Sequence, residues 1–300
     1  MDRKELLFSM FDAKGLGLEI GPGFNPLVPK RDGYAVETLD HQTARELREK
    51  YQNAGVDLDQ IEEVDHVSSG GSILQLVGKP GHFDYIVASH VIEHTTDLLG
   101  FLKDCQALLK PSGRLVLAVP DKRFAFDCLR PCASTGQILQ AHLDQRSRHT
   151  PGQVFDEIAY NCTRDGAIAW GPQADGELAF FRPLEDAKNF LQDYLKSGEY
   201  VDIHGWQFTP SSFRLIVNDL AQIDAMTLRE HAFHEGHGME FFIALSTQGA
   251  GCPVERLALA QQGLRELRAT HVAGDPVVAP PEAPAVEAAG GATPPVTVGP

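Results

Sequence analysis

Apolar and polar positions repeat along this chain with two periods, and the switches between them predict an α/β order. Residues 4–12 carry Leu6, Leu7, Met10 and Phe11 on one side of an amphipathic helix. Leu16 to Ile20, Tyr34 to Leu39 and Ile61 to Val67 read as short strands, with a charged helix at Thr43 to Tyr51 between the second and third. Phe83 to Ser89 is apolar enough for a strand buried on both faces. Leu98, Phe101, Leu102, Cys105, Leu108 and Leu109 recur at helical spacing over Asp97 to Leu109, and Lys110-Pro111-Ser112-Gly113 stops that helix. Arg114 to Val119, closed by Pro120, is a fifth strand. Strands alternating with helices predict βαβ units around a parallel sheet.

From about Cys128 to Val201 the alternation lapses into a helix-rich stretch, with one clear amphipathic helix at Leu184 to Leu195. Thr209-Pro210 then supplies an N-cap and a first-turn proline for a helix bearing Phe213, Ile216, Val217 and Leu220. Met226 to Phe233 and Glu240 to Thr247 are predicted strands, joined by the turn His234-Glu235-Gly236-His237-Gly238. On a helix near Val254 to Arg268, Leu257, Ala260, Leu264 and Leu267 form a narrow seam suited to one partner helix. Ala273 to Pro300 holds seven prolines, four glycines and no Lys or Arg. Such a composition cannot offset its ordering entropy, so a disordered tail is expected.

Composition narrows the function classes. Three hundred residues, 43% of them hydrophobic and 22% charged, are enough for a sizeable soluble core. A net charge of −15 argues against bulk binding of nucleic acid or an anionic membrane, which needs a basic face. No run of about 18 uncharged apolar residues is present, so no membrane span is expected. Met1-Asp2-Arg3-Lys4-Glu5 lacks the apolar stretch of a signal peptide. Five cysteines without a CxxC pair read as reduced thiols of a cytoplasmic protein.

Candidate chemistry begins at Glu19-Ile20-Gly21-Pro22-Gly23, where the first strand ends. Glycines there let the backbone approach a ligand. Asp40 closes the second strand nineteen residues after Gly21, the place of a ribose-binding acid in nucleotide-binding α/β domains. A dinucleotide fingerprint needs a third glycine, and Pro26 stands there instead.

Five blocks in order make the chain resemble the class I S-adenosylmethionine-dependent methyltransferases. They are Leu18-Glu19-Ile20-Gly21-Pro22-Gly23, then Asp40, then Glu63-Val64-Asp65, then Phe83 through His94, then Leu108-Leu109-Lys110-Pro111-Ser112-Gly113-Arg114-Leu115. The resemblance covers roughly residues 15–125 and 205–247. Val119-Pro120-Asp121-Lys122-Arg123-Phe124 and His204-Gly205-Trp206-Gln207-Phe208-Thr209-Pro210 are similar to the bacterial members found in polysaccharide clusters. The fold it implies is α/β: a Rossmann-like seven-stranded sheet with an antiparallel final strand and a helical insert. The expected organisation is a cofactor-binding core over 1–127, an insert or lid over 128–203, and the end of the core with its hairpin over 204–250. A C-terminal helix over 251–272 and the tail over 273–300 follow.

The resemblance also implies roles. Glu19, Gly21 and Gly23 would line the methionine end of S-adenosylmethionine, Asp40 would hold the ribose, and Asp65 would meet the adenine amino group beside His66 or Val67. Ser89 would face the methyl group. Transfer to a hydroxyl needs a base near neutral pKa, and His94, ahead of His90, is the expected one. Either histidine could instead pack or cap a helix. His90, Glu93 and His94 could also ligate a metal, since some O-methyltransferases carry a similar Glu-x-x-Glu-His. Here His90 replaces the first Glu, and no metal is expected. His231, His234 and His237 read as a solvated turn. His204 and Trp206 read equally as substrate-lining or packing residues, and Lys122 or Arg123 as substrate-holding or solvated charges.

The expected activity is methyl transfer to oxygen of a small-molecule or glycan-linked acceptor, without a nucleic-acid partner. A noncatalytic interaction module of this fold and a nicotinamide-dependent enzyme are the alternatives.

Overall fold

The computed structural model describes residues 2–236 and 238–269. The expected tail at 273–300 lies outside the described residues, as do 270–272 of the expected C-terminal helix and His237.

Helix α1 (Arg3–Phe8) starts at a reciprocal Asp2–Glu5 capping box. It ends at Phe8, short of the predicted residue 12, where Ser9 turns its hydroxyl onto the Leu6 carbonyl. Met10 and Phe11 remain buried. The elements β1 (Gly17–Ile20), β2 (Val36–Asp40), α2 (Ala44–Tyr51), β3 (His66–Val67), α3 (Ile73–Val77), β4 (Phe83–Ser89), α4 (Leu98–Leu108) and β5 (Leu109–Pro120) come next, in the predicted order except for α3, which the pattern does not predict. Thr43 caps α2 and Asp97 caps α4. Strand β3 is two residues long, not the predicted seven, because side chains take its upstream carbonyls. Arg48 donates to Ile61 O and Lys30 to Glu63 O.

The irregular middle contains α5 (Thr135–Leu143), α6 (Pro151–Tyr160), the small hairpin β6 (Cys162–Arg164) and β7 (Leu178–Phe180), and α7 (Leu184–Ser197). Helix α8 (Pro210–Gln222) has the predicted Thr209 cap and Pro210 start. Strands β8 (Arg229–His234) and β9 (Glu240–Ser246) and helix α9 (Arg256–Ala269) complete the described chain.

Seven strands form one sheet in the order β3-β2-β1-β4-β5-β9-β8. The pairings among β1 to β5 are parallel, and β9 runs antiparallel to both β5 and β8. This is the Rossmann-like methyltransferase sheet expected from the sequence. Alternate residues of β4 serve opposite faces. Ile86 and Ala88 join the core beneath α4, α5 and α8, while Tyr85 and Val87 pack with α1. The two central strands approach closely. A Cβ on Gly17 would lie 2.1 Å from the Tyr85 ring, so only glycine fits there.

Helix α5 contributes Ile138 and Ala141 to the main core. Helices α6 and α7 instead pack on each other in small clusters of their own, around Val154 with Tyr194 and Ile158 with Ala187. Helix α9 lies on α8, but not along the predicted seam. It buries Leu259 and Gly263, while Leu257 and Leu264 stay 71% and 58% exposed. Polar pairs pull it into that rotation: Arg256 onto Asp219, and Glu266 onto Ser211. No helix among the described residues is long and apolar enough to cross a membrane.

Candidate functional site

Parallel strands bring their carboxyl ends to one edge of the sheet, where open α/β sheets bind ligands. Gly21 and Gly23, just past β1, both take positive φ. A Cβ on Gly21 would also meet Val91 at 2.6 Å. Two carboxylates hold this turn from behind. Glu19 accepts from Leu27 N at 2.6 Å and Val28 N at 3.2 Å, and Asp40 accepts from Gly23 N at 3.0 Å. Both acids are buried. Desolvation pushes the Glu19 carboxyl up to about 7, against the pull of its two N–H donors. Asp40 further accepts from His41 N, and the His41 ring lies 2.6 Å away over the carboxylate.

Asp65 is placed differently. Its Oδ2 takes Lys30 Nζ at 2.5 Å and Thr38 N at 2.7 Å, one step back from the strand ends. Val67, beside it, is exposed at the edge. The structure thus groups Glu19, Gly21, Gly23 and Asp40, with Asp65 committed to a neighbouring ion pair.

A second group lies where β4 ends. Arg3 of α1 donates to Ser89 Oγ at 2.8 Å and grips Glu240 with two bonds of 2.6 and 2.9 Å. His90 Nε2 sits 3.1 Å from the same Glu240, which leaves Nδ1 as the ring's other nitrogen. Burial opposes the charge on Glu240, yet His90 and Arg3 together hold its carboxyl below the usual range. His90 is one of few non-glycine residues with a left-handed backbone, φ 55°. Such strain collects at functional positions.

A third group is buried between the end of β4 and the chain from 122 to 204. His94 Nδ1 lies 2.9 Å from Asp202, and His204 Nδ1 donates to Asp127 at 3.0 Å. The two rings meet edge to face. Burial alone would depress His94, but Asp202 and then Glu93 outweigh it and raise its pKa above the ordinary histidine value. Arg130 pairs with Glu157 at 2.6 Å and donates equally closely to the His204 carbonyl. Burial, then His94, hold the nearby His149 neutral, with a pKa of about 4. Trp206 packs, its indole donating to Thr95 O. Lys122 is tied to Cys128 O and Arg123 to Asp121, so both cations are engaged within the protein.

Sequence reasoning missed Arg3, Glu240, Asp127, Arg130 and Asp202. Only Asp202 carried a local signal, two positions before His204. The others reach the edge from distant elements.

A family described as a methyltransferase domain matches residues 2–166. A ubiquinone biosynthesis O-methyltransferase of Rhodopseudomonas palustris is 45% identical over 42 residues, 14% of this chain, and the match spans 17% of that protein's length. Among solved structures, a SAM-dependent methyltransferase from Aquifex aeolicus shares 14% identity over 81% of this chain and 88% of its own, with a TM-score of 0.40. An S-adenosylmethionine-dependent methyltransferase from Mesorhizobium loti shares 14% over 80% and 95%, also with a TM-score of 0.40. Likeness at this level carries no functional weight.

Proposed function

The chain belongs to the methyltransferase-domain family, and on that premise we propose that it uses S-adenosylmethionine to methylate a hydroxyl oxygen of a small-molecule or glycan-linked acceptor. The observation that carries this reading is the acidic glycine turn beside the His90–Glu240 pair, on one sheet edge. A turn open at two positive-φ glycines and backed by Glu19 and Asp40 fits a cationic ligand that presses on backbone. When bound, S-adenosylmethionine supplies a methyl group on a sulfonium leaving group.

The chain's own residues orient, exclude water and move one proton. Glu19 and Asp40 fix the turn, and Asp40 would hold the ribose. Ser89, held by Arg3, would face the methyl group. His90 takes the acceptor proton on Nδ1, with Glu240 orienting the ring through Nε2. His94 was the stronger candidate in sequence. Asp202 stands 2.9 Å from His94 Nδ1, which favours His90. The two blocks that resemble polysaccharide-cluster enzymes support the acceptor class. They meet in space, where Lys122 N donates to Phe208 O and Asp121 bridges to Phe208.

Calorimetric titration should show S-adenosylmethionine and its demethylated product binding at one site. Transfer of labelled methyl into fractionated lysate should place label in the sugar or small-molecule fraction. Binding of NAD and of neither sulfur compound would sink the reading in favour of a nicotinamide enzyme. Cofactor binding with no label in any fraction would leave an interaction module. Asp40→Ala removes the acceptor of Gly23 N and His41 N, so cofactor affinity should fall about 5- to 150-fold, or ~1–3 kcal/mol. Unchanged affinity removes Asp40 from the site.

Glu19 gives a pH test. Its carboxyl has a pKa of about 7 in the free protein, and an adjacent cation favours the charged form, lowering that pKa. Binding must then release protons below pH 7. Affinity should therefore climb as pH rises towards about 7 and level off where Glu19 is already ionised. Titrations in two buffers of different ionisation enthalpy would measure the released proton. Glu19→Gln should abolish that component.

A further inference from the structure

We propose that Glu93, His94 and His204 form a binding site for a divalent cation of the zinc type, which clasps the chain around residue 204 to the end of β4. The proposal stands apart from the methyl-transfer reading and uses none of the residues assigned to it.

Glu93 is the starting observation. It is 1% exposed, and neither carboxylate oxygen has a hydrogen-bond partner. The nearest basic nitrogens are His90 Nδ1 at 3.7 Å and His94 Nε2 at 3.9 Å, both too far for a hydrogen bond. An ionised carboxylate left so, away from water, costs several kcal/mol. Such a group is stable when a cation completes it.

The two histidines are arranged as metal ligands are. His204 Nδ1 is hydrogen-bonded to Asp127, and His94 Nδ1 lies 2.9 Å from Asp202 without the alignment of a hydrogen bond. That leaves both Nε2 atoms as available donors. A carboxylate behind a ligating imidazole fixes its tautomer and raises its basicity. One donor atom from each of Glu93, His94 and His204 lies within 4.8 Å of the others. Tetrahedral zinc with bonds of about 2.0–2.1 Å wants donors roughly 3.4 Å apart, so closure needs side-chain shifts on the order of 1 Å.

Two imidazoles and one carboxylate select a borderline cation over magnesium or calcium, which prefer all-oxygen sets. The surrounding charge agrees. Asp127 faces Arg130 and Lys122, Arg130 is already paired with Glu157, and Asp202 faces Lys50 and His41. The sequence placed a possible metal on His90, Glu93 and His94. The structure gives His90 to Glu240 and substitutes His204, from the far side of the insert.

The test is titration of metal-stripped full-length protein with Zn²⁺, followed by calorimetry and thermal denaturation. Co²⁺ provides a spectroscopic probe of low-coordinate nitrogen–oxygen ligation. We expect one equivalent to bind and raise the melting temperature, with visible cobalt absorption. Glu93→Gln, close to isosteric, and His204→Asn should each weaken zinc binding at least 100-fold and remove the cobalt spectrum. Asp202→Asn should weaken it 10- to 100-fold by loosening His94. A double His231→Asn, His234→Asn variant, altering exposed histidines, should bind normally. Retained cofactor binding shows that a variant is folded. No zinc binding by the parent protein overturns the proposal. So does binding that survives in folded Glu93→Gln and His204→Asn but disappears in the His231, His234 variant.

Discussion

Changing His90 to asparagine should reduce kcat by about 10²–10⁴-fold while leaving cofactor affinity within a few-fold. Asparagine is the informative replacement because it tolerates the left-handed backbone at φ 55°, so loss of the base is separated from backbone strain. Glu240→Gln should give a smaller loss, since it removes the orienting carboxylate and leaves the ring in place. Single-turnover rates on the labelled acceptor fraction, set beside calorimetry, make the comparison. Full turnover in His90→Asn would show that alignment alone drives transfer and that no base acts at this position.

The second large effect is on stability. Arg130 and Glu157 pair at 2.6 Å with side chains 2% and 5% exposed, and the same guanidinium nitrogen serves the His204 carbonyl. Arg130→Ala leaves the buried Glu157 carboxylate without its cation, with Asn161 Nδ2 still donating to it, and leaves the His204 carbonyl with Gln207 Nε2. Removing one partner of such a pair costs about 3–5 kcal/mol, far more than the pair's net worth against apolar residues. Urea denaturation should show an unfolding free energy lowered by that amount, read as a lower midpoint at unchanged slope. A joint Arg130→Met, Glu157→Leu change should recover much of it. If Arg130→Ala alone costs under about 1 kcal/mol, water reaches this pair and the interior assigned to it is wrong.

The core was readable because its signals are local. The β4 run Phe83 to Ser89, the α8 start at Thr209-Pro210 and the turn at Gly21 each follow from residues adjacent in the chain. Helices α5 and α6 also carried local signals, the capping boxes at Ser134 with Gln137 and Thr150 with Gln153, which the general reading of a helix-rich region passed over. The rotation of α9 was not readable, because Arg256–Asp219 and Ser211–Glu266 pairs override its leucine spacing. The site divides similarly. The turn and Asp40 lie on consecutive strands, but the partners of His90 and His94 come from β9 and the chain beyond α7. A side chain's neighbours across such distances depend on packing that no spacing rule encodes.

The grip of Arg3 on Glu240 joins residues 237 positions apart. During vectorial synthesis, β4 is complete long before β9 exists. Ser89 and His90 must wait beside an edge of β5 that has no antiparallel neighbour, with Arg3 lacking its carboxylate. Closing so long a loop costs little more entropy than closing a moderate one, since the cost grows only with the logarithm of length. Arrival of β9 therefore does three things in one event: it joins β8 to the open side of β5, neutralises Arg3 and orients the His90 ring. A nascent chain that has not reached residue 240 has the glycine turn but lacks the Glu240 partner of Arg3 and His90, so the edge proposed for catalysis is complete only when nearly all of the described fold has been made.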